Sequence, residues 1–382
     1  MKKYMKLSAL ILVVLMIMST VVVTASAASF IEIGDANCDG AITIKDATVI
    51  QKSVADIAPV SDSYVADVDY DDVVTVKDAT IVQKYIAGIG ETIEEAAGLD
   101  FSNITLPTEP AKGTVNAESD FVIKANADGT VSIIAYVGTS KNVTVPETIK
   151  GKKVTKVLDS AFSPALVMSG KNVVPLVNSV WLPDTITTVE EDAFAYQTQM
   201  TDLRLPANLT VIPQCMALDC HSLKNFVIPE TVTEIQFAAF EDCRKMTAYV
   251  IPEGVKTIGA QAFNRNDRLY YINLENVETI GKWAFFECNN LAPEMNLASI
   301  KTLGVSSFQA CRSLKTVTLG SSLKTIPASC FKNCYKLNTV NLPAGLTSIE
   351  KLAFGACYKI TSVNVPAGCT VAGTAFEENI TY

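Results

Sequence analysis

Apolar residues along this chain fall into five successive patterns. Leu7 to Val23 is an almost unbroken apolar run. From Ile44 to Ile57 and from Val76 to Ile86, apolar side chains recur at helical spacing, which predicts two amphipathic helices. Periodicity fades from Leu99 to Glu118, where Pro107, Pro110 and Gly113 break any regular element, so a linker is expected over 93–118. Asp120 to Val145 then alternates in strand fashion around Asp128-Gly129, the signature of a hairpin turn.

The fifth pattern repeats every 22 or 23 residues from Asn178 onward. Pro183, Pro206, Pro229, Pro252, Pro343 and Pro366 each end a short apolar strand. Phe194, Phe240, Phe263, Phe285, Phe308, Phe331, Phe354 and Phe376 follow at nearly constant distance, with Ala217 as the exception. Between these columns lies an Ile or Val, as in Val189, Ile212, Ile235, Ile258, Ile280, Ile326 and Ile349. One unit cannot bury such side chains alone, whereas stacked units share a continuous core. The expected fold class is α+β. A small all-α module over 31–92 precedes a curved solenoid over 119–382, with one parallel sheet and the hairpin as its N-terminal cap.

Composition and charge sharpen this picture. Hydrophobic residues make up 49% of the 382 and charged residues 19%, so the chain can bury cores in each region. Lys2, Lys3 and Lys6 precede the first apolar run, and Ala25-Ser26-Ala27 closes it, which predicts a signal peptide over 1–27 cleaved after Ala27. The mature protein is therefore expected to be secreted, extracellular and free of membrane attachment. Losing those three lysines moves the formal charge from −9 to −12, which argues against nucleic acid or an anionic membrane as partner. Carboxylates cluster between Asp35 and Asp78 with little compensating base, which anticipates a cation.

That cluster is a duplication. Asp35 to Asp46 and Asp67 to Asp78 align at an offset of 32 residues, and each fits a twelve-residue calcium loop. Loop positions 1, 3 and 5 are Asp35, Asn37 and Asp39, then Asp67, Asp69 and Asp71. Position 7 offers the backbone carbonyl of Ala41 or Val73, and position 12 is Asp46 or Asp78. Alternate oxygens suit a hard cation because the loop wraps around it with every second residue pointing inward. Lys45-Asp-Ala-Thr-Val-Ile-Gln-Lys52 matches Lys77-Asp-Ala-Thr-Ile-Val-Gln-Lys84 almost residue for residue. Lacking a helix before each loop and a Glu at position 12, these segments resemble a type I dockerin. The resemblance implies two calcium ions and, as partner, a cohesin domain of a cellulosome-like scaffold. It places the cohesin-contacting surface on Ile44, Lys45, Gln51 and Lys52 and on their twins Val76, Lys77, Gln83 and Lys84. The Ser-Thr pair usual at positions 10 and 11 is absent, so cohesin specificity does not carry over.

Leu342 to Cys357 reads Leu-Pro-x-x-Leu-Thr-x-Ile-x-x-x-Ala-Phe-x-x-Cys and resembles the BspA-type leucine-rich repeats of bacterial surface and secreted proteins. That resemblance implies binding of protein, cell surface or polysaccharide without naming the ligand. Cys220, Cys243, Cys288, Cys311, Cys334 and Cys357 recur once per repeat, which favours a buried stacked column over a disulfide framework. His221 is the one histidine, with no recurrent acid at its position, and Glu241-Asp242 reads as solvated loop charge; neither supports acid–base chemistry. Outward-facing strand positions form the expected ligand face, on which Trp181, Arg204, Tyr271 and Asn273 stand out. The expectation is a non-catalytic protein docked on a scaffold, able to bind through its repeats. The rival reading is a scaffold-borne enzyme or enzyme inhibitor acting in plant polysaccharide degradation.

Overall fold

The computed structural model describes residues 34, 36–37, 42–55, 58, 66, 68, 74–87, 106–164, 174–376 and 380, and the chain divides into two compact units, Met1–Asn103 and Ile104–Tyr382.

The first unit contains helices α1 (Ile44–Val54) and α2 (Val76–Ile86). Thr43 is extended at the start of α1, and its hydroxyl oxygen accepts from the Lys45 N–H at 3.2 Å. In return the Asp46 carboxylate accepts from the Thr43 N–H at 2.7 Å. This reciprocal cap satisfies backbone donors that the first helical turn leaves without partners. Thr75 and Asp78 repeat the arrangement on α2, at 3.1 Å and 2.7 Å. The first helix stops at Val54, short of the expected Ile57: the Ala55 N–H still reaches the Gln51 carbonyl, but Ala55 itself leaves helical geometry at φ −85°, ψ 8°. Ala47 and Ile50 of α1 meet Ala79, Ile81 and Val82 of α2 in one core that also takes in Ala36, Ala66 and Val68. Half of those buried residues are alanines, so apolar burial among the described residues is a small driving force.

In the second unit, strands β1 (Phe121–Ala125) and β2 (Val131–Tyr136) form the expected antiparallel hairpin. Its turn holds Gly129 at φ +83°, while Asp128 accepts from the Thr130 N–H at 3.0 Å. Strand β2 then runs parallel to β3 (Lys152–Val157), which pairs in turn with Thr188–Val189 and so joins the cap to the solenoid.

Along the solenoid, the expected parallel strands pair in register, as in Ser179–Trp181 with Asp202–Arg204, and Glu294–Leu297 with Thr316–Leu319 and Thr339–Asn341. A second parallel ladder accompanies the first. It is built from the Ile/Val column that the sequence suggested only as core: Ile212, Ile235, Ile258, Ile280 and Leu303 lie side by side. Between the ladders each repeat turns through a five-residue corner whose first and last residues have positive φ, such as Asp192 and Tyr196, or Ser306 and Ala310. A left-handed non-glycine residue costs about 1–2 kcal/mol. The geometry is offset by aiming alternate N–H groups at the next repeat: those of Asp192, Phe194 and Tyr196 donate to the carbonyls of Gln214, Met216 and Leu218.

Phenylalanine occupies the middle of these corners. From Phe263 through Phe376 the rings stack at 5.0–5.5 Å and within 12° of parallel. At the Ala217 gap, Phe226 of the following strand packs 4.9 Å from Phe240 and supplies the missing ring. The cysteine column is buried, and none of its members is in a disulfide among the described residues. It also bonds: the thiols of Cys220, Cys288, Cys311, Cys334 and Cys357 each donate, at 3.0–3.2 Å, to the carbonyl of a corner Phe in the preceding repeat. Cys243 does the same to Ala217 at 3.3 Å. Burial pushes the thiols of Cys220, Cys243, Cys288, Cys311 and Cys334 up from their ordinary pKa, and pushes Cys215 and Cys330 outside the column up to about 12.

Candidate functional site

Of the calcium-loop residues, Asn37, Asp46 and Asp78 are described; Asp35, Asp39, Ala41, Asp67, Asp69, Asp71 and Val73 lie outside the described residues. Asp46 and Asp78 are fully buried. Asp46 accepts from the Asn37 N–H at 3.1 Å on one oxygen, and from the Thr43 N–H and hydroxyl on the other. Asp78 accepts from the Val68 N–H at 2.7 Å and from the Thr75 N–H and hydroxyl. Each carboxylate thereby ties the start of its loop to the start of its helix. All of these donors are neutral N–H or hydroxyl groups, and each carboxylate offers its two oxygens only as acceptors. That donor set suits calcium, whose sites gather six or more oxygens on a flexible loop.

All eight residues expected to contact cohesin are exposed. Ile44 and Val76, both at the first position of their helices, are 58% and 56% exposed. Equal exposure of two apolar side chains at equivalent positions gives the module two similar apolar spots, each beside Lys45 or Lys77.

The repeat face departs from expectation at its N-terminal end. Arg204 is buried; it pairs with Asp184 at 2.7 Å and Glu109 at 2.5 Å and donates to the Leu182 carbonyl. Burial opposes its charge, and the bonds to Asp184 and Glu109 outweigh that, holding the guanidinium above its usual pKa. Trp181 is covered by Arg204 at 4.8 Å and by Lys112 at 4.6 Å from its ring centroid. Glu109 and Lys112 belong to the stretch read as linker, which from Leu106 onward lies along the solenoid and also bonds Asn116 to both backbone groups of Thr144. The protein thus engages Trp181 and Arg204 itself. Asn273 is committed too, with its amide bonded to the N–H and carbonyl of Ile251 at 2.7 and 2.9 Å. Tyr271 remains exposed. Sequence reasoning missed the covering strap because Glu109 and Arg204 are 95 residues apart.

His221 does have acids beside it, Asp219 at 3.4 Å and Asp242 at 3.8 Å. Asp242 is not solvated: it is 4% exposed, held by the Arg244 guanidinium and near Arg265 at 3.7 Å. Burial pushes its neighbour Glu241 up to about 7, although Asn264 donates to it at 2.8 Å. These charges bridge consecutive repeats.

A family model of the BspA type leucine rich repeat region matches residues 174–292 and 266–381, in six copies. The chain belongs to the BspA-type leucine-rich-repeat family. A model of the dockerin type I domain matches residues 33–87. Type I dockerin domains bind calcium and dock onto cohesins. Among solved structures, this family member resembles a leucine rich cell surface protein from Faecalibacterium prausnitzii, at 20% identity over 70% of this chain and 86% of the other, with a TM-score of 0.48. A leucine-rich repeat protein from Bacteroides ovatus is 18% identical over 71% and 90% of the two chains, with a TM-score of 0.43. The pneumococcal vaccine antigen PcpA is 19% identical over 70% and 80%, with a TM-score of 0.45. A search of curated proteins gives no match. Among the described residues no helix is long and apolar enough to cross a membrane.

Proposed function

We propose that this protein is exported by its N-terminal signal segment, binds two calcium ions, and docks on a scaffold cohesin without catalytic activity of its own. The repeats then carry a binding surface to wherever the scaffold sits. One observation carries the docking reading: two buried carboxylates at equivalent loop ends, Asp46 and Asp78, each directly follow an exposed apolar–basic pair, Ile44-Lys45 and Val76-Lys77. The surrounding core is half alanine, so the loops need the cation to offset repulsion among their carboxylates. Because the two pairs match in size and charge, rotating the module by half a turn would offer cohesin nearly the same contacts. Calorimetry with a panel of cohesins in calcium tests this. Changing Ile44 and Lys45 to Asp should cost little affinity, and changing Val76 and Lys77 as well should abolish binding. Loss of binding from the first pair alone, with the fold intact, would refute the two-faced reading.

A further inference from the structure

Charge is unevenly divided along this acidic chain. After Glu294 there are eight Lys or Arg residues and three Asp or Glu, although the whole chain carries −9. The C-terminal repeats are therefore a basic end on an acidic protein.

That end also presents an aromatic edge. Four residues after each corner Phe, successive repeats place Arg312, Tyr335 and Tyr358 in one column. The Arg312 guanidinium lies 5.5 Å from the Tyr335 ring centroid, and Tyr335 stacks on Tyr358 at 5.9 Å and 11°. Tyr358 is 69% exposed, the most exposed large apolar side chain among the described residues. Lys336 and Lys359 occupy the next position of the same two repeats, and Lys359 is exposed. Upstream, the first of these columns holds His221, Arg244, Asp267 and Asn289, so the pairing of ring and lysine is confined to the C-terminal end.

We infer that this edge binds an acidic polysaccharide of the uronic-acid type, with sugar faces against Tyr358 and carboxylates against the lysine column. The inference rests on the reading that the repeats bind a ligand. Three features point to this class. Neighbouring solenoid repeats are about 4.8 Å apart, close to the advance per sugar of an extended pyranose chain, so Lys336 and Lys359 are spaced to meet carboxylates on neighbouring sugars. In these repeats the edge carries Arg312, Lys336 and Lys359 and no acidic residue in either column, a positive strip that favours an anionic chain over a neutral one. An exposed tyrosine supplies a rigid flat surface with a polar tip, which fits a sugar ring whose face is apolar and whose rim carries hydroxyls.

The test uses the full chain and short oligogalacturonides, with neutral gluco-oligosaccharides, single-stranded DNA and an acidic peptide as competitors, all by calorimetry. The expected result is oligogalacturonide binding that weakens with salt, falls at least tenfold in Tyr358→Ala, survives in Tyr358→Phe, and falls similarly in Lys359→Glu, which leaves the ring stack untouched. Absence of oligogalacturonide binding, equal binding of the neutral sugar, indifference to Lys359→Glu, or tighter binding of DNA or peptide would each overturn it. Cohesin binding measured on the same preparation separates this failure from failure of the docking role.

Discussion

Replacing Asn266 by Cys should stabilise the solenoid. Asn266 stands where six other repeats have the column cysteine, and its amide nitrogen donates to the Phe240 carbonyl at 2.8 Å, the bond a thiol makes elsewhere. An amide also carries an oxygen. The Asn266 Oδ1 is buried and meets no donor among the described residues. Leaving such an acceptor unsatisfied costs about 1–3 kcal/mol, while exchanging an N–H for an S–H donor forfeits a few tenths to about 1 kcal/mol. The net gain is about 1–2 kcal/mol, and the two side chains are close in volume, so repacking adds little. The reciprocal change, Cys288→Asn, should destabilise by a similar amount, because it introduces the orphan oxygen into a repeat whose thiol already satisfies the Phe263 carbonyl at 3.2 Å. Urea unfolding under reducing conditions, read by tryptophan fluorescence and circular dichroism, measures both. Opposite signs support the argument. A destabilised Asn266→Cys, or the same sign for both, would show that the column is governed by volume and not by donor matching.

Further outcomes follow from the same geometry. Thiols held protonated by burial favour the folded state fully below the ordinary thiol pKa, so stability should fall as pH rises above about 8.5; a flat urea midpoint between pH 8 and 10 would contradict the raised values of Cys215 and Cys330. Thr43→Ala should destabilise the calcium module by about 1 kcal/mol even with the ion bound, since it removes a helix cap; the calcium-saturated thermal transition reads this. Glu109→Gln with Lys112→Gln should speed proteolytic cleavage near residues 106–112 while leaving the repeats folded, because the strap's charged contacts to Arg204 and over Trp181 are gone. An unchanged cleavage rate would mean those contacts do not hold it.

The repeat architecture was legible because buried columns must recur at fixed spacing, and the Phe and Cys columns did. Gln197 and Asn266 share the cysteine position and its bonding role, a likeness that lies in the donor they offer and not in residue type. The second ladder was hidden for a different reason: two-residue strands such as Thr257–Ile258 are too short to show alternation. Trp181 and Arg204 looked outward by strand phase, and they do face outward; what covers them comes from Glu109 and Lys112, which no local pattern could connect to them. In the loops, the expected liganding positions rest on spacing alone. The bonds by which Asp46 and Asp78 anchor the loops do not, since they depend on how the Asn37 and Val68 N–H groups turn back toward them.

The measurement that bears most directly on the account is a calorimetric titration of the full chain with a cohesin, first in calcium and then in excess chelator, with circular dichroism recorded in parallel. The account predicts saturable binding in calcium, none in chelator, and a loss of helical signal from the first unit while the solenoid persists. Binding that survives chelation with the helical signal unchanged would contradict it.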